Sequence, residues 1–231
     1  MNSITIIPAR GGSKGIPHKN IINFCEKPLI EWSIIQAQKA HTTKEIYVTS
    51  DSSQILNIAE KCGANPILRP DNLSTDTATS EAALIHSLNT IEKNSTNKVD
   101  LIIFLQPTSP LREPNDIDNA VKKLLKCKAD SLFSASLLDD LCVWRIKDNT
   151  LKPLTFNPDN RKRRQDNEPL YLENGSIYVL RPNILRQFNN RLGGKKNILE
   201  MPYWQSFEID TIMDLELCGY YFRKYLLNKW K

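Results

Sequence analysis

An α/β fold, with a mainly parallel sheet flanked by helices, is predicted by three observations. Short apolar runs alternate with segments of helical spacing, the run Leu101-Ile102-Ile103-Phe104-Leu105 is continuously apolar as a buried strand would be, and the first run opens into a glycine-rich turn. Strands separated by helices build βαβ units, whose parallel strands are covered on both faces. With 231 residues, 40% hydrophobic and 25% charged, the chain can bury a sizeable core, and disordered, collagen-like and low-complexity classes are excluded.

The elements follow in order. Ile4–Ile7 reads as the first strand, and Leu29–Ala40 as a helix through Leu29, Ile30, Ile34, Ile35 and Ala37. Glu45–Thr49 is a strand, and Ser53–Cys62 a helix that ends before Gly63, a residue suited to the left-handed position after a helix. Ile67-Leu68 is a short strand, Thr79–Ile91 a helix, Asp100–Leu105 a strand, and Pro114–Lys126 a helix with proline near its first turn. The rhythm breaks over 136–172, a polar stretch with Pro153, Pro158 and Pro169, which reads as a lobe inserted into a single domain spanning 1–231. Alternation resumes at Ser176–Leu180, and Thr211–Trp230 follows as an amphipathic helix.

Five cysteines, odd in number and without a CxxC pair, suggest neither a disulfide framework nor a zinc site and fit a reducing compartment. No apolar run reaches the ~18 residues of a membrane span, and the first residues lack the basic and apolar regions of a signal peptide, so a cytosolic protein is expected. The three histidines, His18, His41 and His86, form no pattern with a serine or cysteine nucleophile, which argues against a hydrolase triad.

The most informative segment is Pro8-Ala9-Arg10-Gly11-Gly12-Ser13-Lys14-Gly15-Ile16-Pro17-His18-Lys19-Asn20, at the carboxyl end of the first strand, where open α/β sheets bind ligands. Glycines permit close backbone approach, and Arg10, Lys14 and Lys19 add three cations with no acid beside them in the sequence. That combination describes a polyphosphate cradle. It is neither a Walker A loop nor a dinucleotide fingerprint, because Gly-Lys-Ser/Thr and G-x-G-x-x-G are both absent.

The strings IIPARGGSKGIPHKN, LRPDNLSTDTATS, LQPTSPLR, NGSIYV and FEIDTIMDL, in that order over nearly the whole chain, resemble the acylneuraminate cytidylyltransferases, or CMP-sialic acid synthetases. More distantly the chain is similar to the CMP-KDO synthetases. The resemblance implies a Rossmann-like fold and transfer of CMP from CTP to the anomeric hydroxyl of a nine-carbon sugar acid, N-acetylneuraminate or a relative such as legionaminate. Pyrophosphate would be released, with Mg2+ as cofactor and a homodimer as the working form. KDO activation is the same-chemistry alternative. A basic nucleic-acid-binding protein is the alternative of another class, disfavoured because no basic stripe with interleaved aromatics is present.

Carried over residue by residue, the resemblance gives Arg10, Gly12, Ser13, Lys14, Lys19 and Asn20 to the nucleotide, and Arg69, Ala78 and Ser80 to the cytosine pocket. It gives Gln106, Thr108, Asn174 and Tyr178 to the sugar, and Arg164 to the sugar held by the neighbouring subunit. Arg10, Lys19 and Asp210 are the expected catalytic residues. Plainer roles stand beside several of these: Asp76 or Thr79 as a helix cap, Tyr178 as core, and Arg112 in an ordinary ion pair. Glu208 and Asp210, at i and i+2 on an extended segment, share a face and offer Mg2+ two hard oxygen ligands, while Asp214 suits the start of a helix. The sialic-acid version of this string is usually D-I-D; here it reads Glu-Ile-Asp.

The net charge of +5 thereby gains an address. Arg10, Lys14, Lys19 and the run Arg161-Lys162-Arg163-Arg164 account for more than all of it, so the remainder is mildly acidic and small anionic substrates are the expected partners.

Overall fold

The computed structural model describes residues 1–13, 15–138 and 142–230, without the side chain of Arg164. Strand β1 (Ser3–Pro8) is central because both of its faces are apolar: Ile4 and Ile6 belong to one core cluster and Ile7 to another on the opposite face. A small hairpin of β2 (Asn23–Phe24) and β3 (Lys27–Pro28) leads into helix α1 (Leu29–Lys39), followed by β4 (Glu45–Ser50), α2 (Ser53–Lys61) and β5 (Asn65–Leu68). Gly63, at φ +81°, ends α2 as the sequence predicts.

Next come α3 (Ser80–Asn94), β6 (Leu101–Leu105) and α4 (Asp116–Lys126). Thr79 caps α3, accepting a hydrogen bond from the Ala82 N–H, so this helix starts one residue later than predicted. Helices α1, α2 and α4 cover one face of the sheet, through Ile34, Ile55 and Val121 among others. Helix α3 covers the other with Leu84, Leu88 and Ile91.

The second half holds elements that the sequence-based reading lacks, chief among them β7 (Ser131–Leu138) and, on either side of the residue-190 loop, α5 (Pro182–Phe188) and β11 (Lys196–Glu200). Between β7 and these lie β8 (Trp144–Lys147), β9 (Thr150–Pro153) and β10 (Leu170–Leu180). The large sheet runs β11-β7-β10-β6-β1-β4-β5, with β10 antiparallel to its neighbours β6 and β7 and every other pairing parallel. β10 starts six residues before the predicted Ser176, so the excursion is rooted in a long β7–β10 pair. Beyond it, β8 and β9 form a separate hairpin turned at Asp148 and Asn149, both at positive φ.

The segment from Ile212 to Trp230 is one continuous helical stretch in three parts: α6 (Ile212–Tyr221), a π turn (Phe222–Leu226) and α7 (Leu227–Trp230). It packs onto the β2–β3 hairpin and α1 as a third core cluster, with Phe222 wedged between Phe24 and Trp32 at ring-centroid distances of 5.2 and 4.5 Å. Among the described residues, no helix is long and apolar enough to cross a membrane.

Phe222 is fully buried and belongs to no binding surface, so Phe222→Ala should lower the unfolding free energy by about 3–5 kcal/mol. Urea denaturation with an unchanged m-value checks this.

Candidate active site

The connection after β1 crosses on one face of the sheet through α1, whereas α3, which leads into β6, crosses on the other. Between β1 and β6 the winding therefore changes direction, and the loops at their carboxyl ends part to leave a cleft of about 340 Å3. A second hollow of about 290 Å3 lies at the opposite edge, around Lys44, Glu45 and Asn65, and contains none of the predicted site residues.

Four segments line the cleft. The loop after β1 contributes Arg10, Ser13, Lys19 and Asn20; the segment after β5 contributes Arg69, Ala78 and Ser80; the turn after β6 contributes Gln106 and Thr108; and the approach to α6 contributes Glu208 and Asp210. Gly12 stands in open space beside it, and Lys14 lies outside the described residues. The structure thus brings together eleven of the predicted residues, from positions 10 to 210.

Two other predicted residues do not line it. Asn174 is buried in a bulge of β10, where its Oδ1 accepts from Ser134 Oγ (2.5 Å) and from the Ser176 N–H (3.2 Å). Tyr178 is buried with its ring stacked on Phe104, and its hydroxyl donates to Glu173 at 2.5 Å. Arg164 starts a short 3-10 turn, Arg164–Asp166, far along the chain from the other site segments.

The cations of the first loop have acids beside them in space that the sequence places far away. Arg10 Nη1 lies 2.8 Å from Asp76 Oδ1, and Lys19 Nζ 2.8 Å from Asp210 Oδ1. Both acids are largely exposed; Arg10 is also partly open, which makes its pair weak, whereas Lys19 is mostly buried and is held more firmly against Asp210. The loop itself is held independently: Asn20 Nδ2 donates to the Arg10 carbonyl at 3.0 Å, and the Gly11 N–H donates to Asp51 at 2.9 Å. Gly15 comes so close to the Asp210 carbonyl that a Cβ there would overlap the oxygen.

On the facing wall Arg69 is nearly buried and donates through Nη2 to the Thr49 carbonyl at 2.9 Å. Burial pulls its guanidinium below the usual range, and its Nε has no hydrogen-bond partner among the described residues. A buried donor left over at a cleft is suited to receiving a polar ligand.

The two carboxylates differ. Ile209 is anchored between them, fully buried, with its N–H donating to the Thr108 carbonyl at 2.8 Å; the extended segment therefore turns Glu208 and Asp210 to the same side. Burial pushes the Glu208 carboxyl above the usual range, and the charge of Asp210 pushes it the same way, against the Ser109 hydroxyl, Lys19 and Arg112. Two hard oxygen donors on one side, one of them raised by the other's charge, form a pair suited to a small divalent cation. Among the described residues no third acid, histidine or cysteine joins them, so substrate oxygens and water would complete such a site. Asp214 does not belong to it: its side chain accepts from the Thr211 N–H at 2.8 Å and closes a capping box on α6.

Several residues of the site escape the sequence-based reading. Asp51 and Asp76 carry no local signal of their partners. Arg112, which the sequence suggests for an ordinary ion pair, is instead fully buried and, among the described residues, bonded only to carbonyl, amide and hydroxyl oxygens. Arg191 lies over the rings of Phe104 and Tyr178 at 4.9 and 4.8 Å and pairs with Glu81 in the first turn of α3, stiffening the wall behind the cleft.

A doubly wound sheet with a basic glycine loop and paired carboxylates at its switch point defines an α/β protein with its ligand site at the carboxyl ends of the strands. The family model described as cytidylyltransferase matches residues 4–223, and the chain belongs to that family. It is 34% identical over 214 residues to N-acylneuraminate cytidylyltransferase A of Danio rerio, covering 90% of this chain and 48% of that protein. It is 33% identical over 223 residues to the CMP-N,N'-diacetyllegionaminic acid synthase of Legionella pneumophila, covering 94% of each. The chain thus spans about half the length of the zebrafish relative and nearly all of the bacterial one. Its fold is similar to that of a solved CMP:2-keto-3-deoxy-manno-octonic acid synthetase, with a TM-score of 0.70 at 16% identity over 98% of this chain and 100% of that one.

Gly175, at φ +65°, packs so tightly that a Cβ would overlap Glu208 Oε1. Gly175→Ala should therefore destabilise the fold by on the order of 1–3 kcal/mol and displace the Glu208 carboxylate; chemical denaturation and a crystal structure of the variant check the two effects.

Proposed function

We propose that this chain transfers CMP from CTP to the anomeric hydroxyl of a nonulosonic acid, N-acetylneuraminate or a relative such as legionaminate, and releases pyrophosphate. The observation that carries this reading is the cleft at the switch point, which joins the basic first loop to the Glu208 and Asp210 pair in a chain of the cytidylyltransferase family. The relatives named for neuraminate and for legionaminate support a nonulosonic acid as the acceptor.

In this mechanism Arg10, Ser13, Lys19 and Asn20 receive the triphosphate, joined by Lys14 and the open backbone at Gly12. Arg69, Ala78 and Ser80 receive the base. Gln106 and Thr108, on the opposite lip, orient the sugar acid. Its anomeric hydroxyl loses its proton to water and the oxygen attacks the α-phosphorus, the bond to the β-phosphate breaks, and pyrophosphate leaves with its charge matched by Arg10 and Lys19. Asp210 and Glu208 would hold Mg2+, which when bound supplies positive charge to the phosphate oxygens. Lys19 and Asp210 restrain each other before substrate arrives, keeping both side chains near the place where charge develops.

Asn174 and Tyr178 enter the same scheme as the frame of the sugar side, one fixing the β10 bulge and the other backing Phe104, a cleft residue. We assign the excursion at 136–172 to dimerisation. Its exposed Trp144, Ile146, Leu151, Leu170, Tyr171 and Leu172 give it an apolar surface that a second copy would cover. From that copy Arg164 would reach the sugar carboxylate, a task for a planar guanidinium. A cytosolic enzyme working on CTP and a sugar acid, with no nucleic-acid or membrane partner, is the setting this reading expects.

Pyrophosphate release from CTP is to be measured with neuraminate, legionaminate, pseudaminate and KDO. Turnover is expected with one of the three nine-carbon acids, to vanish on chelation and to return with Mg2+. No activity with any acid overturns the reading, and activity with KDO alone replaces the acceptor. Asp210→Asn should lower kcat on the order of 10²-fold, as loss of a transition-state contact does. Arg164→Ala should raise the KM for the sugar about tenfold while leaving that for CTP within about twofold, the loss expected for one charge-assisted contact; a fully active monomer would overturn the shared site.

A further inference from the structure

The Arg112 side chain has no exposure to solvent and no carboxylate hydrogen-bond partner among the described residues, yet its nitrogens are well supplied with acceptors. Nη2 donates to the Gln106 carbonyl at 2.7 Å and to the Ser176 carbonyl at 2.8 Å, and Nε also reaches Ser176 at 3.3 Å. Nη1 donates to Gln36 Oε1 at 2.8 Å and Ser33 Oγ at 3.2 Å, both on α1. The main chain of the same residue is fastened as well, its carbonyl accepting from Trp230 Nε1 at 3.1 Å. Burial draws the guanidinium down to about 9, while the charges of Asp116 and Glu208 favour its ionised form.

The two carbonyls identify what this fork holds. Gln106 directly follows β6 and lines the cleft; Ser176 lies in the β10 bulge, next to the Gly175 that packs against Glu208. One planar group therefore ties the turn bearing the proposed sugar ligand to the strand supporting a proposed metal ligand. A lysine, with a single nitrogen on a flexible stem, cannot bridge both carbonyls and α1 in one plane. We propose that Arg112 is a positioning residue for CMP transfer, setting the separation of Gln106 and Glu208 across the cleft without touching a substrate. The inference rests on the function proposed above and adds a residue to it. Displacements of about 1 Å at a reacting centre cost on the order of 10²-fold in rate.

The test is a kinetic cycle on the full chain with the best sugar acid and Mg2+. Arg112→Lys should lower kcat by at least about tenfold, raise the KM for the sugar, and leave the KM for CTP within about threefold, because Arg10, Lys19 and Arg69 stand on other walls. Arg112→Lys combined with Gln106→Ala should lose less than the product of the two single losses, a coupling that general destabilisation would not produce. Should Arg112→Lys fail to fold, Gln36→Leu removes one acceptor of the fork and takes its place in the same cycle. Full kcat in the single variant, or additive losses in the double, overturns the inference and leaves the function standing. A wild-type chain inactive with every acid overturns both.

Discussion

The direction in which the chain leaves β1 governs everything functional in this molecule. It departs to α1 on one face of the sheet and returns to β6 from α3 on the other, and two loops that part in this way cannot fill the space between them. The opening is thus a consequence of winding rather than of any particular side chain. Its chemistry comes from what the parted loops carry: cations from the strand on one side, a stiff proline-flanked turn from the strand on the other.

The antiparallel β10 completes the arrangement. Inserted between β6 and β7, it brings a bulge to the edge of the cleft, and the bulge is held by hydrogen bonds inside the protein: Ser134 Oγ accepts from the Ile177 N–H at 2.8 Å and donates to Asn174, which in turn accepts from the Ser176 N–H. Gly175 at the crest leaves space that the Glu208 carboxylate occupies. A metal-ligand candidate is therefore supported by a strand that contributes no ligand of its own, and the supporting residues are small and polar because anything larger would displace it.

The first half of the fold is legible at β1, β4, β5 and β6, where a short apolar run alternates with good helix signals, whereas β2 and β3, two residues each, are too short to leave such a pattern. β7 is not legible either, since the run Ser131-Leu132-Phe133-Ser134-Ala135-Ser136-Leu137-Leu138 interleaves serines that turn out to be buried and hydrogen-bonded internally, to the Gly193 carbonyl in the case of Ser131. The site is legible where residues sit in one contiguous motif, as in the first loop and the Glu208 to Asp210 string. It is illegible where a partner is supplied by distant chain. Asp76 for Arg10 and the Ser176 carbonyl for Arg112 lie 66 and 64 positions away, and no local pattern encodes either meeting. Likewise the π turn at Phe222–Leu226 arises from packing against Phe24 and Trp32, which helical periodicity alone does not contain.

The bond from Trp230 to the carbonyl of Arg112 spans 118 positions, and the cluster around it unites Ile16 and Phe24 with Leu226 and Trp230. During synthesis, which proceeds from the amino end, the β1, β4, β5 and β6 strands emerge well before the residues that brace their carboxyl edge. A ribosome-bound chain therefore exposes these four strands while the loop after β1 still lacks a backing. The residues that back the cleft are thus the last of its walls to be made, and the four strands named are complete in sequence before them.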